Sequence, residues 1–577
     1  MLRLLTITSK PCASRESARR IRPPGSLLLA TVLVALTACG GPAPETADLV
    51  LVGGRVVTLA ETGAAEVEGL AIAGDRIVAS GTQAEIREWI GADTRVIELD
   101  GRSVLPGLTD NHFHSIGGGP GVDLSRARSI DDVLSAIAAR ARTTTAGEVI
   151  VTNSDWHEGQ LAEQRLPYRD DLDRATGDHP LVVVRGGHEY ILNSAALAHW
   201  GIPESVQDMP GGRVGRYDDG RLNGELVDRA KALVTLAPSP APDTESEAVR
   251  LESEHRTMNE RGVTSLRYPG GSLTQYETLQ RMRDEGRLTV RVEYLFRAPR
   301  SGSPEELAEA MTTWPAQGTG DDWVRVGGVK LGVDGGFEGG LMREPYSEAW
   351  GEGGTFHGLQ TVPREPFLAS VSLLNEAGWR VATHAVGDAA IDLVLDVYEA
   401  THEESSIDGR RWVIEHGFIP REDHFPRMRA LGLLVTAQDH LYLAAPSLVK
   451  YWGEDRAAWT TPLRAYLEES ISVSLGTDSP VVPYDPWWVL HHFTTRGTIS
   501  AGVLDDGQAV SRLEALRAGT SGYAYLAERE DRAGTLEAGR LADLIVTTDD
   551  YMTCPDPCLE TMTVDFTIVG GRVVWER

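Results

Sequence analysis

The chain carries the same phrase near both of its ends. Val52-Gly-Gly-Arg-Val-Val57 recurs as Val569-Gly-Gly-Arg-Val-Val574. Each copy sits in a short β-branched run with glycine turns, the pattern of a β-hairpin. Strand signals continue through Leu70–Ile77 and Val96–Leu99, and again through Asp543–Thr547. Two ends that share one pattern predict a small β-sandwich assembled from both of them, residues 49–103 and 533–577. Everything between, 104–532, is then an insertion.

That middle alternates. Short apolar runs (Leu181–Val184, Thr264–Leu266, Val290–Leu295, Val326–Leu331, Val381–Ala385, Trp412–Ile414, Leu433–Thr436, Ser472–Leu475) are separated by helical-looking segments such as Ile130–Arg142, Glu245–Arg261, Pro366–Ala377 and Ala389–Thr401. Strand–helix alternation at this length predicts parallel βα units, an α/β fold, and one TIM-like (β/α)8 barrel with an insertion at roughly 120–240. A doubly wound sheet is the alternative, but no glycine-rich strand–turn–helix phosphate loop favours it.

Residues 1–38 read as a removable leader. Arg19, Arg20 and Arg22 precede the apolar run Ser26–Ala38, as in a secretory signal. Leu36-Thr37-Ala38-Cys39 matches a bacterial lipobox, which makes Cys39 the expected lipidation site and 39–48 a short tether. The expected location is outside the cytoplasm: a membrane-anchored lipoprotein facing the periplasm or cell exterior. Removing six cations and one acid takes the formal charge from −29 to −34, which argues against nucleic acid. The remaining partners expected are a small-molecule substrate, the membrane through the lipid anchor only, and a second copy as a homodimer. Of 55 cations only Lys10, Lys231, Lys330 and Lys450 are lysine. Cys554 and Cys558 can close a small disulfide loop or stay as free thiols; with no His or further Cys nearby they do not form a zinc site.

Five candidate strands end on residues that bind metals. His112 and His114 in Val104-Leu-Pro-Gly-Leu-Thr-Asp-Asn-His-Phe-His lie two apart on a strand and so face the same way. Lys330 sits in the apolar run Val326–Leu331, where burial lowers its pKa and leaves a nucleophilic amine that can take up carbon dioxide. His384, His416 and Asp478 each follow an apolar run. Taken singly, each histidine suits a structural role and the lysine suits solvent or Asp334. The ordered set H-x-H, K, H, H, D does not arise readily by accident.

With these residues in view the sequence resembles the amidohydrolase superfamily, in particular the family 3 branch that includes N-substituted formamide deformylases. The resemblance runs from about Asp48 to Arg577. It is carried by Leu105-Pro-Gly-Leu-Thr-Asp-Asn-His-Phe-His, Gly187-His188-Glu-Tyr-Ile-Leu-Asn193-Ser-Ala-Ala-Leu, His384-Ala-Val-Gly-Asp-Ala-Ala, Ile414-Glu-His, Gly476-Thr-Asp-Ser-Pro-Val and Gly534-Thr-Leu-Glu-Ala-Gly-Arg-Leu-Ala-Asp-Leu-Ile-Val. It implies one or two Zn2+ ions: His112 and His114 with Asp478 at the first, His384 and His416 at the second, and carbamylated Lys330 as the bridge. Mn2+ or Fe2+ also suits such ligands. Two departures fall where substrate would sit. Arg185-Gly-Gly precedes His188 where relatives carry Asp, and Gln438-Asp439-His440 stands where relatives have Gln-Pro.

The chemistry this implies is hydrolysis of a carbon–nitrogen bond in an amide, an N-formyl or N-acyl group, or a cyclic amide. Metal coordination lowers the pKa of water from about 15.7 to about 7. Asp478 would serve as general base and acid, and His188 as an oxyanion contact or a structural residue. Trp156, His157, Arg343 and His440 are expected to line the substrate pocket. A deaminase would carry Glu three residues after His384, where this chain has Gly387. An esterase or phosphotriesterase would use the same site. A non-catalytic metal- or ligand-binding lipoprotein would not need Asp478 facing an open metal.

Overall fold

The computed structural model describes residues 46–60, 63–236, 244–347 and 354–577. The leader, Cys39 and most of the tether lie outside the described residues.

Eight strands lie side by side in chain order: β1 (Leu108–Asp110), β2 (Val263–Gly271), β3 (Arg291–Arg297), β4 (Val324–Gly332), β5 (Val381–Ala385), β6 (Val413–His416), β7 (Leu434–Gln438) and β8 (Ser472–Gly476). Each pair from β1 to β8 is parallel. Their near-continuous Val/Ile/Leu runs are what strands buried on both faces require. β8 approaches β1 at a seam closed by backbone bonds: Asn111 N donates to Leu475 O at 3.1 Å, Asp478 N to His112 O at 2.7 Å, and His114 N and Ser115 N to Ser479 O at 3.0 and 3.2 Å. The expected TIM-like barrel is therefore present. Its outer helices include Leu273–Asp284, capped by Ser272, and Pro304–Met311, where Ser303 caps and Pro304 occupies the first turn. Asp388–Glu404 follows β5 and carries Asp388 in its first turn.

Both ends of the described chain enter one eight-stranded sheet, in which Leu544–Thr547 pairs antiparallel with Ser103–Pro106. A bridge between Arg76 and Leu541 folds this sheet back, and Leu51, Ile72, Leu99, Leu544 and Ile568 pack inside it. The two copies of the repeated phrase differ in structure. Gly570 and Gly571, both at positive φ, make a hairpin turn between Val564–Val569 and Arg572–Glu576. The first copy is instead a bulge within Leu49–Val57, with Gly53 at φ 78° and the register shifting between Val52 and Val56.

Between β1 and β2 lies a separate five-stranded sheet that runs Gly212–Arg216, Leu222–Asp228, Glu189–Leu192, Leu181–Arg185, Ile150–Val151. Leu181–Val184, read from sequence among the barrel strands, belongs here. It pairs antiparallel with Glu189–Leu192, because the tight Arg185–Glu189 connection leaves no room for a helical crossover. Cys554 and Cys558 are free thiols, with Cys558 inside the short helix Asp556–Glu560 and Cys554 held at its sulfur by Arg512.

Candidate metal centre

The C-terminal ends of the barrel strands converge on Asp478. Its Oδ1 lies 3.3 Å from His114 Nε2 and 3.6 Å from His112 Nε2. Its Oδ2 lies 3.2 Å from His440 Nε2 and 3.8 Å from His416 Nδ1. The ligand atoms of His112, His114 and Asp478 all fall within 4.8 Å of one another, and so do those of His416, His440 and Asp478. His416 and Asp478 hold φ of 70° and 55°. Non-glycine residues pay for that left-handed backbone, and such strain collects where side-chain placement matters.

Three of the histidines are aimed by a neighbour. His112 donates Nδ1–H to Glu415 Oε2 at 2.8 Å, which turns its Nε2 lone pair inward. Glu415 is fully buried and anchored by Arg267 Nη1 at 2.7 Å and the Thr436 hydroxyl. Burial alone would raise the Glu415 carboxyl; Arg267, His112 and Lys330 outweigh it and hold the group well below the usual carboxylate range. His416 donates Nδ1–H to Gln438 Oε1 at 2.8 Å. His384 donates Nε2–H to Gly335 O at 3.0 Å and stacks on His188 with ring centres 5.6 Å apart. His188 in turn holds Asp228 Oδ1 at 2.6 Å.

Lys330 is buried beneath these rings, its Nζ 3.3 Å from His112 Nε2. Burial brings its pKa down to about 8, so an appreciable fraction is free amine near neutral pH. Burial, reinforced by Lys330, pushes His112 down to about 4, so the ring is neutral near pH 7. Asp478 stays ionised. Burial opposes that, but His112, His114, His440 and His416 together hold its carboxyl well below the ordinary value. Phe337 and Phe418 flank His440 at 5.2 and 5.1 Å and give the cluster one apolar wall.

The structure thus brings His112, His114, Lys330, His384, His416, His440 and Asp478 together, with His188 alongside His384. Three expected pocket residues lie elsewhere. Trp156 is in the core of the inserted sheet, its indole N–H donating to Val184 O at 2.8 Å, because a large ring there fills the gap among Leu124, Leu161 and Leu181. His157 is fully buried behind Phe337 and accepts the Gly159 N–H at 2.9 Å as a helix cap. Arg343 sits on the outer helical layer, clamped by Asp392 and Asp423. Reading by strand ends missed Glu415, Gln438, Asp228 and Arg297. Glu415 directly ends the run Trp412–Ile414, Gln438 follows Leu433–Thr436 and Arg297 lies just beyond Val290–Leu295, so three of the four carried the same strand-end signal.

The amidohydrolase family model matches residues 95–575. The chain is 27% identical over 549 residues to the N-substituted formamide deformylase of Arthrobacter pascens, covering 92% of this chain and 98% of that protein. It is 27% identical over 539 residues to the protein LONG AFTER FAR-RED 3 of Arabidopsis thaliana, covering 88% of each. The crystal structure of an uncharacterized metal-dependent hydrolase from Pyrococcus furiosus superposes with a TM-score of 0.63 at 25% identity, over 88% of this chain and 100% of that one. With a match spanning the whole barrel and most of the chain, the chain belongs to the amidohydrolase family and is a hydrolase of carbon–nitrogen bonds.

Proposed function

We propose that the cluster around Asp478 hydrolyses an amide, N-formyl, N-acyl or cyclic amide bond with one or two divalent cations, zinc foremost. The observation that carries this reading is the sharing of one carboxylate between two pairs of histidines. The buried donors suit such an ion: Asp478 Oδ1 and His440 Nδ1 have no hydrogen-bond partner among the described residues. Imidazole and carboxylate ligands fit zinc, and manganese or iron fits them as well.

His112, His114 and Asp478 would hold a first ion, and His384 and His416 a second. Lys330, carbamylated, would bridge them, and His440 is a further ligand candidate beside His416. A divalent ion at this position supplies water that is acidic at neutral pH and polarises a carbonyl. Asp478 takes the proton of the attacking water and returns it to the leaving nitrogen, which departs as a neutral amine. His188, fixed through Nδ1 by Asp228, presents its other nitrogen toward the carbonyl oxygen as charge develops there. Phe337 and Phe418 exclude water from one side of the site, which strengthens these electrostatic contacts.

The test is a panel of N-substituted formamides, N-acyl amino acids and cyclic amides, assayed on protein of measured metal content. Amine release with at least one metal per chain supports the reading. Less than about half an equivalent of metal with no hydrolysis of any member would overturn it in favour of a binding protein. We also propose export and lipid anchoring at Cys39; a Cys39→Ala chain recovered in the membrane fraction would refute the anchor.

A further inference from the structure

Arg297 ends β3 and pairs in register with Lys330 of β4. Residues paired across parallel strands point to the same face, so Arg297 faces the barrel mouth as Lys330 does. Its Nε donates to Gly270 O at 3.1 Å. The guanidinium lies flat on Gly270 (φ 105°), where a Cβ would meet Cζ, Nε and Nη2 at 3.0 Å. Only glycine allows that approach. It fixes the side chain by its stem, and among the described residues neither Nη group makes a hydrogen bond.

No carboxylate lies within 4.0 Å of Arg297 among the described residues. By contrast, Arg427 holds Asp396 and Glu399, and Arg287 holds Glu245, Glu252 and Glu285. The charge of Arg297 instead acts on His114, Lys330 and Asp478, within the metal centre. Two more cations continue outward from it. Arg300 acts on Arg297, Lys231 and Tyr190, and Lys231 donates to Gly187 O while lying 5.0 Å over the Tyr190 ring. A site that is to hold divalent cations gains nothing from a guanidinium aimed at it, unless an anion arrives with the substrate.

We propose that Arg297 is the substrate's carboxylate anchor, with Arg300 and Lys231 forming a cationic approach, so that this enzyme acts on amides carrying a carboxylate a few bonds from the scissile carbon–nitrogen bond. The inference rests on the hydrolase reading above. The spacing follows from the fold: neighbouring strands are about 4.8 Å apart, which places the anchor a few bonds from a carbonyl held over Lys330. An open guanidinium fork takes a carboxylate through two parallel N–H···O bonds.

The test compares N-formylphenylalanine with N-formylphenethylamine, which differ only by the carboxylate, in wild type, Arg297→Gln and Arg297→Lys. A hydrogen bond to a charged group corresponds to roughly 10- to 150-fold. Wild type is expected to favour the acid by at least about tenfold in kcat/KM, mainly through KM. Arg297→Gln should remove most of that preference, and Arg297→Lys should retain part of it. A second arm reads binding of N-acetylphenylalanine and N-acetylphenethylamine to the protein by calorimetry, with metal content measured for each variant. The proposal is overturned if wild type treats the two formamides alike, or if Arg297→Gln keeps the preference. If neither formamide is hydrolysed the hydrolase reading suffers, and the calorimetric arm alone decides on Arg297. There, equal binding of the two acetyl compounds would overturn it.

Discussion

At the barrel mouth four histidines share one carboxylate; on the outer helical layer two carboxylates and one histidine surround a guanidinium. The ligand atoms lie within 4.8 Å of one another in each of the two inner sets that share Asp478 and in the outer set. In the outer one, Arg343 Nη2 lies 2.5 Å from Asp392, 2.7 Å from Asp423 and 2.8 Å from His424 Nε2, so the protein itself supplies the balancing charge. That cluster is part-exposed, and its histidine is tied to Asp392. In the inner one, Lys330 is the nearest protein cation to the rings, burial weakens its charge, and Asp478 Oδ1 has no hydrogen-bond donor. The inner set is the one we propose as the metal site, because no guanidinium sits among its ligand atoms as Arg343 does in the outer one.

That comparison can be broken most sharply at Asp478. Asp478→Asn is expected to lower kcat by about 10²- to 10⁴-fold while metal remains bound; full turnover in this variant would remove Asp478 from the mechanism. Metal content separates the two clusters directly. His112→Ala should lose an equivalent by elemental analysis, whereas His424→Ala should lose none; equal losses would mean that the outer cluster also binds an ion.

Arg343→Ala probes the outer charge balance. Its partners are part-exposed, so the expected cost is within about 1 kcal/mol of stability, read from denaturant midpoints, with kcat unchanged. A large fall in kcat would return Arg343 to the pocket. A pH test concerns Glu254, which shares Arg250 with Glu247 and repeats the outer stoichiometry in a buried setting. Burial pushes the Glu254 carboxyl up to about 7. A carboxyl raised in the folded state favours folding below its unfolded value near 4.5, and that contribution is lost as pH rises toward 7. Glu254→Gln should flatten the pH dependence of stability between those values; an unchanged slope would assign it to other groups.

The sequence exposed much of this arrangement and concealed a definable remainder. Strands buried on both faces are written as apolar runs, so a polar residue at the end of one stands out; His112, Lys330, His384, His416 and Asp478 were all found that way. The residues that aim them were not, because Glu415 reaches His112 and Arg267 across 303 and 148 positions of sequence and no local pattern records the contact. Leu181–Val184 looked like a barrel strand because a β-branched run specifies a buried strand, not which sheet it joins. Trp156 and His157 looked like pocket residues because an aromatic pair beside acids fits a packed core equally well. The repeated phrase located the terminal sheet correctly, yet its two copies became a turn and a bulge, since Gly-Gly permits either and the flanking pairing decides.

The sheet that joins the two ends also sets an order of events during biosynthesis. Leu544–Thr547 must reach Ser103–Pro106, over 400 residues earlier in the chain, before the core inside that sheet can close. Until the last strands emerge, the first ones have no partner on that edge, and long-range pairing of this kind is slow. A nascent chain of this design stays incompletely folded until synthesis is nearly finished. For a protein that we propose is exported, that delay keeps the chain open until its last strands have been made.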